Sequence, residues 1–234
     1  MGEHPIIFST EMVRAILDGR KTKSRRIIMP QPEDEDGYRF WWKGDWDTRG
    51  GPRAGVCTHG SPGNGEATWT LKEIAEYCSY GQVGDRLWVR ETWGSLDADH
   101  PRCKDGRKPK QGDRLVYRAN PADDYQWGAG KPSQGSFCWR PSIHMFRWAA
   151  RIFLEITNIR VERVQDISLK DVISEGIKDT NKCVYNDDNV FKCNHHDTLD
   201  KFKNLWDSLN AKRGYSWDKN PWCWVIEFKR KEKP

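Results

Sequence analysis

Residues 81–93 read Gly81-Gln82-Val83-Gly84-Asp85-Arg86-Leu87-Trp88-Val89-Arg90-Glu91-Thr92-Trp93. Two glycines and an aspartate make a turn, and a strand of period two follows it. Leu87, Val89 and Glu91 share one face; Trp88, Arg90 and Thr92 share the other. Glu91 falls on the apolar face, toward a barrel end, where a carboxylate needs a partner. Similar runs recur. Residues 151–164 (RIFLEITNIRVERV) alternate, with Ile152, Leu154 and Ile156 pointing one way. Residues 114–119 (RLVYRA) form a short strand. The closing run from Pro221 to Lys229 puts Trp222, Trp224, Ile226 and Phe228 on one face.

Helices are few. Residues 9–18 carry a capping Ser9 or Thr10, an apolar face of Met12, Val13, Ile16 and Leu17, and Gly19 just beyond. Thr70 to Tyr77 reads as a short helix. Ser168-Leu169-Lys170-Asp171 is a capping box that opens a helix ended by Gly176. Asp197 to Leu209 places Leu199, Phe202, Leu205, Trp206 and Leu209 at helical spacing. Strands separated by long polar loops, with few helices, predict an α+β fold: a small β-barrel with helices against its side. A single domain over 1–234 is expected, with polar insertions at about 31–68 and 94–137.

Composition narrows the class. The chain of 234 residues is 36% hydrophobic and 12% aromatic, too aromatic for a disordered polymer. No apolar run approaches the roughly 18 residues of a membrane helix. The start, MGEHPIIFSTEM, lacks the pattern of a signal peptide. Seven Cys at irregular spacing do not make a disulfide framework, so a cytoplasmic chain is expected. The net charge of +5 permits a nucleic-acid or nucleotide partner without requiring one. Tryptophan is in surplus, 13 residues, enough to fill a core and still supply a stacking surface for a flat ligand.

Four segments together resemble the ASCH superfamily, whose fold is PUA-like. They are Leu17-Asp18-Gly19-Arg20-Lys21-Thr22-Lys23-Ser24-Arg25-Arg26, the glycine–aspartate turn into the strand at 83–92, the helical stretch ISLKDVISEGI at 167–177, and the terminal Trp224-Val225-Ile226-Glu227-Phe228. Larger phage-encoded members also carry a segment like Trp139-Arg140-Pro141-Ser142-Ile143-His144-Met145. The resemblance spans both ends and the middle of the chain but not the insertions. It implies a PUA-like β-pseudobarrel with flanking helices and a cleft between them, and RNA as one class of partner.

A small branch of the superfamily, the N4-acetylcytidine amidohydrolases, is similar in the first and third segments. It uses a Lys, a Thr three residues on, and a Glu from the later helix. Those positions are Lys21, Ser24 and Glu175 here, with Ser in place of Thr. The implied substrate is an N4-acylcytidine-type small molecule, cleaved without a cofactor. A non-catalytic reader of RNA or of a modified base, and a ribonuclease of the same fold, are the rival expectations.

Amide hydrolysis needs a nucleophile, a base, an oxyanion donor and a proton for the leaving amine. Ser24 offers the hydroxyl. Lys21 and Glu175 divide the remaining work in one of two ways. Either Lys21 is the charged stabiliser and Glu175 the base, or Lys21 is the base and Glu175 the acid. In a third route Glu175 activates water and Ser24 only positions the substrate. Lys21 and Ser24 share a cleft only if the chain bends between them, with the strand beginning near Thr22 or Lys23; Ser24 and Arg26 then share a face. Arg26 is a candidate for a phosphate or a pyrimidine carbonyl, or for a structural pair with Glu91 or Glu227. Trp93 and Trp139, with Glu91, complete the candidate substrate-binding set. The plain structural account of the basic run is a complement to the helix C-terminus or a solvated face.

Cys183, Cys193, His195 and His196, with Cys57 and His59, offer soft ligands, but the C-x9-C-x-H-H spacing matches no common zinc motif. No metal site is expected. His144 is read as a satisfied structural residue.

Overall fold

The computed structural model describes residues 1–29, 31–34, 40–41, 71–97, 108–120, 139–178, 184–185, 191–192 and 195–233. Most of the two expected insertions, and the thiols at Cys57, Cys183 and Cys193, lie outside these residues, as do the side chains of His195 and His196.

In chain order the elements begin with strand β1 (Glu3–Ile7), helix α1 (Thr10–Leu17) and strand β2 (Lys23–Ile27). Short strands β3 (Glu33–Asp34) and β4 (Phe40–Trp41) pair with each other. Helix α2 (Leu71–Ala75) leads into β5 (Arg86–Arg90), and β6 (Trp93–Ser95) pairs with β7 (Leu115–Tyr117). The long strand β8 (Phe153–Arg163) precedes α3 (Leu169–Ser174). The pair β9 (Val184–Tyr185) and β10 (Phe191–Lys192), helix α4 (His195–Asn210) and strand β11 (Trp222–Lys231) complete the chain.

The main sheet is mixed, with strand order β1-β5-β8-β11-β2. β1 runs parallel to β5, and the other pairs are antiparallel. The fold is therefore α+β. Among the described residues no ladder joins β1 to β2, so the sheet is open and not a closed barrel. Likewise, among the described residues no helix is long and apolar enough to cross a membrane.

The two faces of the sheet carry separate apolar clusters. Trp222, Trp224, Ile226 and Phe228 of β11 pack with Leu154 and Ile156 of β8 and with Val13 and Ile16 of α1. The expected single face of β11 is thus observed, and α1 covers it. The alternate residue Cys223 faces the other way, into a cluster with Val172 of α3 and Phe202 and Trp206 of α4. A third cluster joins Trp93, Met145 and Ala149.

The strand expected to run from Arg86 through Trp93 is two strands. β5 ends at Arg90, and β6 begins at Trp93 and leaves the main sheet to pair with β7. The second expected insertion therefore contains Gly94–Ser95 of β6 at its start and all of β7, which falls within the short strand expected at 114–119.

Gly176 ends α3 with φ +94°, where a side chain is strained. A Cβ there would lie 2.8 Å from Ala15 Cβ and 3.1 Å from Lys21 Cβ. Gly176→Ala is expected to cost about 3 kcal/mol, combining left-handed strain with overpacking. The midpoint and slope of urea unfolding check it.

Candidate active site at the open edge of the sheet

Local chemistry brings two distant segments together. Ser9 caps α1, accepting from the Met12 N–H, and Gly19, at φ +73°, ends it. The Arg20 and Lys21 N–H groups then both donate to Ala15 O, each at 2.9 Å. Ser168 caps α3 by accepting from Asp171 N–H at 3.1 Å. Glu175 closes that helix in αR conformation before Gly176 turns away. The two helix ends meet as an antiparallel bridge between Lys21 and Glu175, supported by Thr22 N–H to Ser174 O at 2.8 Å.

β2 is an edge strand. Its Ser24 sits opposite Ile226 of β11. The peptide groups of Lys23 and Arg25 point away from β11, as alternation along an edge requires. Side chains of the Lys21–Glu175 pair satisfy that edge. Lys21 Nζ donates to Lys23 O at 2.8 Å, and Glu175 Oε1 accepts from Arg25 N–H at 2.6 Å. The pair thus holds the peptide before Ser24 and the peptide after it.

The pair itself is buried. Lys21 is 3% exposed and Glu175 4%, and Lys21 Nζ lies 2.7 Å from Glu175 Oε2. Lys21 Nζ also donates to Glu175 O at 2.8 Å. Three accepting oxygens match the three protons of an ammonium, whereas a neutral amine has only two. Burial pulls the Lys21 pKa below its ordinary value; Glu175 opposes that, and the charges of Arg26 and Arg25 reinforce it.

Ser24 is 4% exposed and lines, with Lys21 and Glu175, a cavity of about 620 Å³. Among the described residues its hydroxyl makes no hydrogen bond. Arg26 shares its face, as expected from alternation. The guanidinium lies 5.1 Å from the Phe8 ring and 5.8 Å from the Tyr80 ring, and one NH2 donates to Ile7 O at 2.6 Å. Its Nε is buried without a hydrogen-bond partner. Burial lowers the Arg26 pKa, with Tyr80 and Glu175 opposing. Arg26 pairs with neither Glu91 nor Glu227.

The opposite face carries an ion network. Lys23 reaches Asp171 at 2.7 Å and Glu227 at 3.1 Å. Arg25 reaches Glu162 at 2.9 Å and Asp171 at 3.3 Å. Arg160 joins it through Glu162, Glu227 and Asp171. Burial works to raise the pKa of Asp171 and of Glu227, but the Lys23 hydrogen bond and the cationic charges outweigh it, so both are lowered. A lowered carboxylate pKa gives stability that is present above the ordinary carboxylate range and is lost as pH falls through the folded values. Asp171→Asn is therefore expected to flatten the acid limb of stability against pH, read as urea midpoints across that range.

The remaining candidates do not reach the cavity. Glu91, 1% exposed, is gripped by the Arg151 guanidinium at 2.8 and 2.9 Å, because a buried carboxylate takes the nearest bidentate cation. Trp93 is fully buried; it meets the Phe146 and Trp148 rings edge-on at 6.2 and 5.9 Å and has no face open to a base. Trp139 is 39% exposed, lies under the Arg118 guanidinium at 6.0 Å, and does not line the cavity. These three, expected in the substrate-binding set, stand outside the lining of the Ser24 cavity. His144 is exposed and also stands away from the cavity. Among the described residues no group of three or more His, Cys, Asp or Glu is placed to hold a metal.

Phe8 and Tyr80 enter the site unannounced. Phe8 precedes the Ser9 cap, where an apolar residue reads as a hydrophobic staple onto Val13. That local role conceals its place beside Lys21, whose Nζ lies 5.5 Å from the ring.

No family model, no curated protein and no solved structure matches this chain.

Proposed function

We propose that the chain is a cofactor-free amidohydrolase of the ASCH type, built on a PUA-like core, that removes the acyl group from N4-acylated cytosine nucleosides. The observation that carries the reading is Ser24: an unpartnered hydroxyl facing a cavity, bracketed on both adjoining peptides by a buried Lys–Glu pair. The mixed five-stranded sheet with helices packed against both faces supports the α+β core of that reading.

The arrangement favours Lys21 as the fixed cation, because all its protons have acceptors, and Glu175 as the base. With substrate bound, the Ser24 hydroxyl turns onto the Glu175 carboxylate, which takes its proton while Oγ adds to the acyl carbon. The oxyanion forms in the field of Lys21 and of Arg26, whose Nε–H has no other acceptor. Collapse breaks the C–N bond as Glu175 returns the proton to the leaving N4 amine. Water, deprotonated by Glu175, then releases the carboxylic acid and restores Ser24. Tyr80 and Arg26 border the side suited to the pyrimidine.

The test is incubation with N4-acetylcytidine and N4-benzoylcytidine, following the ultraviolet change to cytidine. Turnover of either is expected; inertness of both at high protein concentration ends the reading.

A modified-base binding module is the second reading. The saturation of Lys21 favours it, since that ammonium has no proton left to offer an oxyanion. It gives binding of the acylated nucleoside without turnover.

A further inference from the structure

The cavity straddles the β2 edge and has two unlike walls. On one side stand Arg26, Ser79, Tyr80, Thr92 and Ser142. On the other, α4 presents Phe202, Leu205, Trp206 and Leu209, at i, i+3, i+4 and i+7 of one helix face. Phe202 and Trp206 are each 4% exposed and belong to the α3–α4 cluster. Leu205, Leu209 and Met29 belong to none of the three apolar clusters of the described residues, yet all line the cavity. Leu209 is 60% exposed and Met29 48%. Among the described residues these side chains join no apolar cluster and leave apolar surface at the cavity, with the Met29 sulfur accepting from Arg213.

We propose that the α4 wall is the acyl-recognition surface, and that the preferred substrates carry an apolar acyl group of several carbons in place of acetyl. The inference rests on the amidohydrolase reading. The Ser24 side chain shares the Arg26 face of β2, and the same cavity continues round the β2 edge to α4, so a ring held at Arg26 and Tyr80 leaves the α4 side for the acyl chain. The polar ring goes to the wall with Arg26 and Tyr80, and the acyl chain goes to α4. From Phe202 to Leu209 the helix advances about 10 Å, enough to cover a hexanoyl chain. Burying a methylene favours binding by up to about fourfold. A wall that covers one side of four additional methylenes should therefore give at least about tenfold.

The experiment compares kcat/KM for N4-hexanoylcytidine and N4-acetylcytidine. The hexanoyl substrate is expected to lead by at least about tenfold. Leu209→Gln, an exposed position that leaves the core intact, should erase most of that lead, and Leu209→Met should keep it. Equal rates for the two acyl groups, or an equal loss on both in Leu209→Gln, would overturn the inference. If neither substrate turns over, the hydrolase reading has failed and binding still decides the wall by calorimetry. N4-Hexanoylcytidine binding more tightly than cytidine, with the difference lost in Leu209→Gln, supports it; equal binding overturns it.

Discussion

Lys21→Met should lower the free energy of unfolding by about 3–5 kcal/mol, the cost of leaving one member of a buried ion pair alone. The loss has two parts. Glu175 stays 4% exposed with its principal cation gone. The carbonyls of Lys23 and Glu175 also lose a donor each, and such orphaned buried groups cost about 1–3 kcal/mol apiece. Methionine fills a similar volume, so packing contributes little. The double variant Lys21→Met with Glu175→Leu should recover part of the loss, because removing both charges abolishes the desolvation penalty along with the attraction. Urea unfolding of the single and double variants reads both effects. A cost below about 1 kcal/mol for the single variant, the range of an exposed pair, would contradict the burial on which the site depends.

Ser24→Ala is expected to have the opposite profile. Hydrolysis should fall at least 100-fold, the scale for removing a group that takes part in the proton and acyl transfers. Stability should stay within about 0.5 kcal/mol, because the hydroxyl has no protein partner to lose. Ser24→Thr keeps the hydroxyl and adds a β-branch that suits a strand, so it should retain both fold and turnover. Glu175→Gln should lose at least 100-fold as well, but with a stability cost, since Lys21 then lacks a counter-charge. The contrast between Ser24 and its two neighbours separates a chemical role from a structural one.

Much of the architecture is legible as pattern. The α1 and α3 caps, the alternation in β8 and the apolar face of β11 are local signals, and local signals survive folding. β1 is the instructive miss. Pro5 lies inside Glu3–Ile7 and argues against a strand, but β1 is the edge of the sheet, where a missing N–H costs little. The break between β5 and β6 also escapes pattern reading, because Leu87, Val89 and Glu91 keep the period of two up to the point where Arg151 captures Glu91. Trp93 and Trp139 show the limit of composition: a surplus of tryptophan cannot tell which rings the core will consume.

The candidate site was legible only through the resemblance at Lys21, Ser24 and Glu175. The bend that lets Lys21 and Ser24 share a cleft follows from Gly19. No spacing rule foretells a pairing across 154 positions, which two helix ends achieve by meeting at an edge strand. Nor does any local rule reveal that Glu175 and Lys21 would hold the peptides on either side of Ser24.

The most direct measurement is the rate of cytidine formation from N4-acylcytidine by the wild-type protein and by Ser24→Ala, with both shown to unfold at the same urea midpoint. Steady turnover by the former and at least a 100-fold slower rate in the latter is the predicted result. Equal rates in the two proteins, or no cytidine from either, would contradict the account.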